Sequence, residues 1–147
     1  MNENVVGASR EPLVECQRRL VTIWFVGGGL IFIVMILESL GNIYGSQVKG
    51  AWSWVVPVIV PTLSLMIGVL ISGAMHAESQ ATVDRFAYRV SVGLSVFYLL
   101  LVLGSLVLWP AAHMYPLDLM TLSSSWLGPV QGLAGIAIGG FFGSRKK

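Results

Sequence analysis

Charge is scarce in this chain. Only 11% of its 147 residues are Asp, Glu, Lys or Arg, where a soluble domain carries about 25%. Four stretches, residues 20–37, 51–75, 90–112 and 119–144, contain none of them. Such stretches cannot supply a water-facing globular surface. Cysteine is nearly absent too. The single Cys16 excludes an internal disulfide and any multi-cysteine metal site. Beside Arg18 and Arg19, it reads as a buried or idle thiol. The two histidines, His76 and His113, fall on different connections, too few ligands together for a structural zinc site. No cofactor or metal is therefore expected. Gly27, Gly28 and Gly29 follow no strand and are not followed by Lys-Ser or Lys-Thr, so they lack what a phosphate-cradling loop requires. Ser79 near His76, and Ser123–Ser125 near His113, come with no orienting acid or oxyanion donors. The chain is expected not to be an enzyme. The net charge of +2 is spread over the ends of the apolar stretches, so no nucleic-acid partner is expected.

What is present is length in lipid-like composition. A helix needs about 20 apolar residues to cross the roughly 30 Å hydrocarbon core. Each stretch satisfies this, and the predicted fold is an all-α membrane protein, an up-down bundle of four transmembrane helices. The spans are placed at about 20–40, 52–75, 86–110 and 126–144. Residues 1–19 form a cytoplasmic tail, 20–144 the transmembrane domain, and 145–147 a basic cytoplasmic end. Nineteen residues precede the first span and no A-x-A-like cleavage site follows it, so it reads as a retained signal-anchor. Threading the chain this way puts Arg10, Arg18, Arg19, Arg85, Arg89, Arg145, Lys146 and Lys147 on one side, and Lys49 alone on the other. By the positive-inside rule both termini face the cytosol. Tyr44, Trp52, Trp54, Trp109, Tyr115 and Trp126 form an outer aromatic belt. Trp24, Phe25, Phe86, Tyr88, Phe141 and Phe142 form an inner one. The expected location is a bacterial inner membrane.

Several local features carry sharper expectations. Ser9 is read as a cap for a helix starting at Arg10, with Pro12 in its first turn. Trp24, Gly28, Ile31, Met35 and Glu38 share one face of the first span. Glu38 falls at its outer boundary, within reach of water, Lys49 or Asn42. Pro57 and Pro61, one turn apart, are expected to kink the second span. Ser64, Gly68 and Ser72 continue below them as a small-residue packing line. The third helix is expected to start near Thr82, with Asp84 set to pair with Arg89 or a neighbour of Arg85. Ser91, Ser95, Tyr98 and Ser105 then form a polar line. Asp118 and Ser123–Ser125 read as an outer loop, with Pro129 opening the last helix. That helix carries Gly128, Gly132, Gly135, Gly139 and Gly143, a glycine-zipper pattern for close helix contact.

Function is expected from architecture alone. The favoured expectation is a non-enzymatic homo-oligomer that forms or gates a transmembrane pore or channel, as a membrane effector triggered by a separate sensor would. Gly128, Gly132, Gly135, Gly139, Gly143, Ser64, Gly68 and Ser72 would associate helices. Ser91, Ser95, Tyr98, Ser105, Gln131 and Glu38 would line a pathway, and Pro57 and Pro61 would be its weak point. The alternative is an anchor or assembly subunit for a cytosolic protein, contacted through Arg18, Arg19, Asp84, Arg85 and Arg89. A small-molecule transporter or membrane enzyme ranks third, since four spans leave little room for paired repeats.

Overall fold

A computed structural model describes residues 10–75 and 82–143. Ser9, His76, Ser79 and the Arg145-Lys146-Lys147 tail lie outside the described residues, as do the side chains of Ser72 and Asp84. Four helices dominate: α1 (Leu13–Leu40), α2 (Val48–Met75), α3 (Arg85–Val107) and α4 (Pro116–Gly143). Two three-residue strands, β1 (Arg10–Pro12) before α1 and β2 (Thr82–Asp84) before α3, pair antiparallel with Arg10 opposite Asp84. A 3-10 turn (Gly45–Gln47) leads into α2.

The strands correct two expectations. Arg10 does not begin a helix, because Pro12 disfavours helical backbone at the residue before it and biases that residue towards an extended conformation. α3 begins at Arg85 and not near Thr82, whose backbone joins the ribbon.

The larger correction concerns α4. It starts at Pro116, so Asp118 lies in its first turn and Ser123–Ser125 lie inside it. Pro116 presets the backbone angle of a first helical residue, and Asp118 places negative charge at the positive end of the helix dipole. Inside the helix the serine hydroxyls are satisfied by the preceding turn. Ser123 donates to the Met120 carbonyl (2.7 Å), Ser124 to Met120 (3.3 Å) and Ser125 to Leu122 (2.8 Å). Pro129 is interior, not initial.

Three helical stretches are long and apolar enough to cross a membrane: Glu15–Leu40, Gly45–Gly68 and Arg85–Val107. The chain is thus a helical membrane protein by composition and length. α4, at 28 residues, is long enough. Among the described residues it is not one of the three.

The helices bury complementary stripes. α1 contributes Leu20, Trp24, Ile31 and Met35, and α2 contributes Ala51, Val55, Ile59 and Met66. α3 contributes Tyr98, Val102 and Leu106, and α4 contributes Met120, Leu127, Ala134 and Ile138. Steps of three, four or seven residues keep each stripe on one side of its helix. α1 touches α2 and α3, and α4 touches α3 and α2. The order around the bundle is therefore α1, α2, α4, α3, with α2 diagonal to α3. Phe32 stacks on Trp52 and Ser91 bonds to the Ala137 carbonyl, so successive helices run antiparallel. The Trp54–Ser124 and Val58–Gln131 contacts advance together, so α2 and α4 run parallel.

Candidate functional site

The bundle interior holds the polar line of α3. Ser91, Ser95, Tyr98 and Ser105 are all buried. Two of the four reach across to other helices. The Ser91 hydroxyl donates to the Ala137 carbonyl on α4 (3.2 Å), and the Tyr98 hydroxyl donates to the Val58 carbonyl on α2 (3.0 Å). Ser105 turns back to Leu101 (2.8 Å). The Gln131 amide approaches the same Val58 carbonyl at 3.5 Å. Val58 sits between Pro57 and Pro61. Pro61 has no N–H, so the Pro57 carbonyl loses its helical partner and this turn is weakened. Tyr98 and Gln131 brace it from two other helices. α2 stays helical through both prolines, and the bonds from Tyr98 and Gln131 hold the carbonyl next to the freed one of Pro57.

Two interior polar atoms have no hydrogen-bond partner among the described residues, the Trp24 indole nitrogen and the Ser95 hydroxyl. Trp24 lies beside Tyr98, ring centroids 5.8 Å apart. The line is thus held inside the bundle, partly braced and partly unsatisfied.

Glu38 lies at the C-terminal end of α1, half-buried. It pairs with neither Lys49 nor Asn42. The Tyr44 hydroxyl donates to its carboxylate, and Trp109 lies beside it. Asn42 makes this possible by adopting a left-handed backbone, φ 55°, which asparagine tolerates. The turn folds Tyr44 back over Met35 and Glu38. Burial, then the adjoining carboxylate, pushes the Tyr44 phenol above its ordinary range, so it remains a donor. Nearby, the Trp52 indole donates to Ser39 (3.2 Å). Glu38 is therefore tied to the turn that follows α1.

The glycines divide into two sets. A Cβ on Gly27 would lie 2.6 Å from Leu99, one on Gly28 3.3 Å from Leu63, and one on Gly50 3.2 Å from Leu117. These three glycines let helices of the same chain approach. A Cβ on Gly128, Gly132, Gly135 or Gly139 would meet no other part of the described residues within 4 Å. Their line faces away from the bundle. The outward line is longer than the glycine spacing indicated. Thr121, Ser125, Gly128, Gly132, Gly135 and Gly139 are all exposed, at alternating steps of four and three. Thr121 and Ser125 sit in a serine-rich run whose composition suggests a loop. Their spacing is the signal that finds them once the run is helical.

α2 presents a matching line. Pro57, Pro61, Ser64 and Gly68 are exposed, and Gly68 too has nothing within 4 Å. Trp54 and Val58 face α4 through Ser124 (2.9 Å) and Gln131. Pro57 and Pro61 lie three residues beyond these two, and Gly128 and Gly135 lie four beyond Ser124 and Gln131. Both small-residue lines therefore border the α2–α4 crease on one outer face.

On the basic end, Arg18, Arg19, Arg85 and Arg89 are exposed. Arg19 pairs with Glu15 at 2.7 Å and also contacts Tyr88. Asp84 belongs to β2. Cys16 is buried. Among the described residues no three His, Cys, Asp or Glu side chains are grouped to hold a metal.

These features define a class, a small helical membrane protein with a braced interior and one face of small residues. Compared with known proteins, the chain matches no family model, no curated protein and no solved structure.

Proposed function

We propose that this chain is a non-enzymatic membrane subunit that assembles with copies of itself through the α2/α4 face, and that the assembly forms or gates a pore. The observation carrying the reading is the empty space around Gly128, Gly132, Gly135 and Gly139. Glycine lowers helix propensity by about 1 kcal/mol per residue against alanine. Within this chain those glycines permit no close approach that would offset that. A second backbone at the same line would gain dense packing, which drives helix association in lipid. The alternating spacing of four and three suits a left-handed crossing.

In this reading α4 is a fourth crossing, both termini face the cytosol, and the membrane is a bacterial inner one. An opening between copies would be bordered by Thr121, Ser125 and the glycine backbone, while Ser91, Ser95, Tyr98 and Ser105 stay within each subunit. The proline-weakened turn of α2 borders the same face, so movement there would alter the contact. Dye and ion flux from liposomes carrying the purified chain tests the pore. Release by the wild type that Gly132→Val abolishes supports it. Vesicles that stay tight at every protein density and ionic condition would rule it out.

The alternative is an anchor for a cytosolic protein. The β1–β2 ribbon favours it, since it gives the basic end an ordered surface beside Arg18, Arg19, Arg85 and Arg89. Capture of a soluble protein that is lost on replacing those arginines, with oligomer and flux absent, would select this reading.

A further inference from the structure

We propose that the groove between α1 and α3 is a seat for one acyl chain of an anionic phospholipid, with the lipid phosphate held by arginines at its foot. The groove has a volume of about 400 Å³, within the range of small-molecule sites. Val26, Leu30, Val96 and Leu100 form its rims, with Gly27 and Leu99 at its floor. Its one polar lining side chain is Thr22. That hydroxyl already donates to the Arg18 carbonyl at 2.9 Å, so the groove offers an occupant only apolar contact.

Its length argues for a lipid tail. From Thr22 to Ile31 the helix rises about 13 Å, close to the roughly 15 Å depth of one leaflet's hydrocarbon. The foot argues for negative charge on the headgroup. Arg19 lies one turn below Thr22 and Ile23 on α1. Arg89 lies two turns below Val96 on α3. The contact between Arg19 and Tyr88 brings these helix ends to one level. Arg18, Arg19 and Arg89 are exposed there, with Glu15 paired to Arg19 and Glu11 and Asp84 on the adjoining ribbon. Arginine recognises phosphate through a planar fork of donors. The groove lies on α1 and α3, across the bundle from the α2–α4 crease, so this site does not depend on the oligomer proposal.

Lipid retention tests it. The full chain is reconstituted in mixed phosphatidylglycerol and phosphatidylcholine vesicles, extracted in mild detergent and weighed by native mass spectrometry. One phosphatidylglycerol per chain, retained in preference to phosphatidylcholine, is expected. Arg89→Gln should lower that preference about fivefold, the effect of one surface arginine near anionic lipid. Leu100→Trp, at an exposed rim, should fill the groove and displace the lipid while circular dichroism stays helical. Equal retention of both lipids by the wild type would overturn the proposal. So would unchanged retention in both variants, or displacement by glycerol phosphate as effective as by intact lipid.

Discussion

The Gly27 seam between α1 and α3 and the exposed glycine line of α4 use glycine in opposite ways. On the first, Gly27 is filled by Leu99 from the neighbouring helix, and the two helices meet over a floor that a methyl group would disturb. On the second, α4 carries a longer glycine line that touches nothing. Residue type is the same and the surroundings are both apolar. What differs is whether this chain itself supplies the partner. A glycine in a membrane helix therefore has no single meaning. It becomes informative when its neighbours are known.

That contrast can be broken by substitution. The largest effect is expected from Gly132→Val with Gly139→Val. Side chains there meet no atom of the same chain, so helicity and resistance to unfolding should persist. Association between copies should weaken by at least about tenfold, or 1.4 kcal/mol, read by native mass spectrometry or crosslinking in mild detergent. An unchanged oligomer would remove α4 from the interface. Gly27→Val should do the reverse. Leu99 must move, at a cost of about 1–3 kcal/mol for overpacking, seen in denaturant unfolding from detergent micelles, while folded molecules still associate. Equal stability would mean that Leu99 finds another rotamer freely. The smallest effect is expected from Tyr98→Phe, which removes one brace from the Val58 carbonyl. Interhelical hydrogen bonds in membranes average about 0.6 kcal/mol, and Gln131 still approaches the same oxygen. A loss several times larger would show that the proline turn depends on Tyr98 alone.

Much of the fold was readable from residue spacing, and the reasons are physical. Trp24, Ile31 and Met35 repeat at helical intervals, and the structure buries them together. Ser91, Ser95, Tyr98 and Ser105 share a face for the same reason. The start of α4 was hidden because serine, proline and aspartate ordinarily punctuate loops. The backbone of α4 runs helical through Ser123–Ser125, and their hydroxyls bond back to it. The paired strands were hidden because each is three residues long and draws its partner from about seventy residues away. The direction of the α4 glycines was hidden too. Periodicity says which residues share a face, but not which face the neighbours occupy. The role of Glu38 was obscured by its candidate partners in sequence, Lys49 and Asn42, since Tyr44 reaches it only through the left-handed turn at Asn42.

The small ribbon at the basic end acts as a parity check on insertion. Arg10 and Asp84 can meet only if the chain between them has returned to the side from which it left. A chain that failed to turn back between α1 and α2 would strand the two segments across the bilayer from one another. The first strand must also wait, during synthesis, until both helices have emerged and reversed direction. The closed ribbon thus fixes the start of α1 and the start of α3 at one end of the bundle.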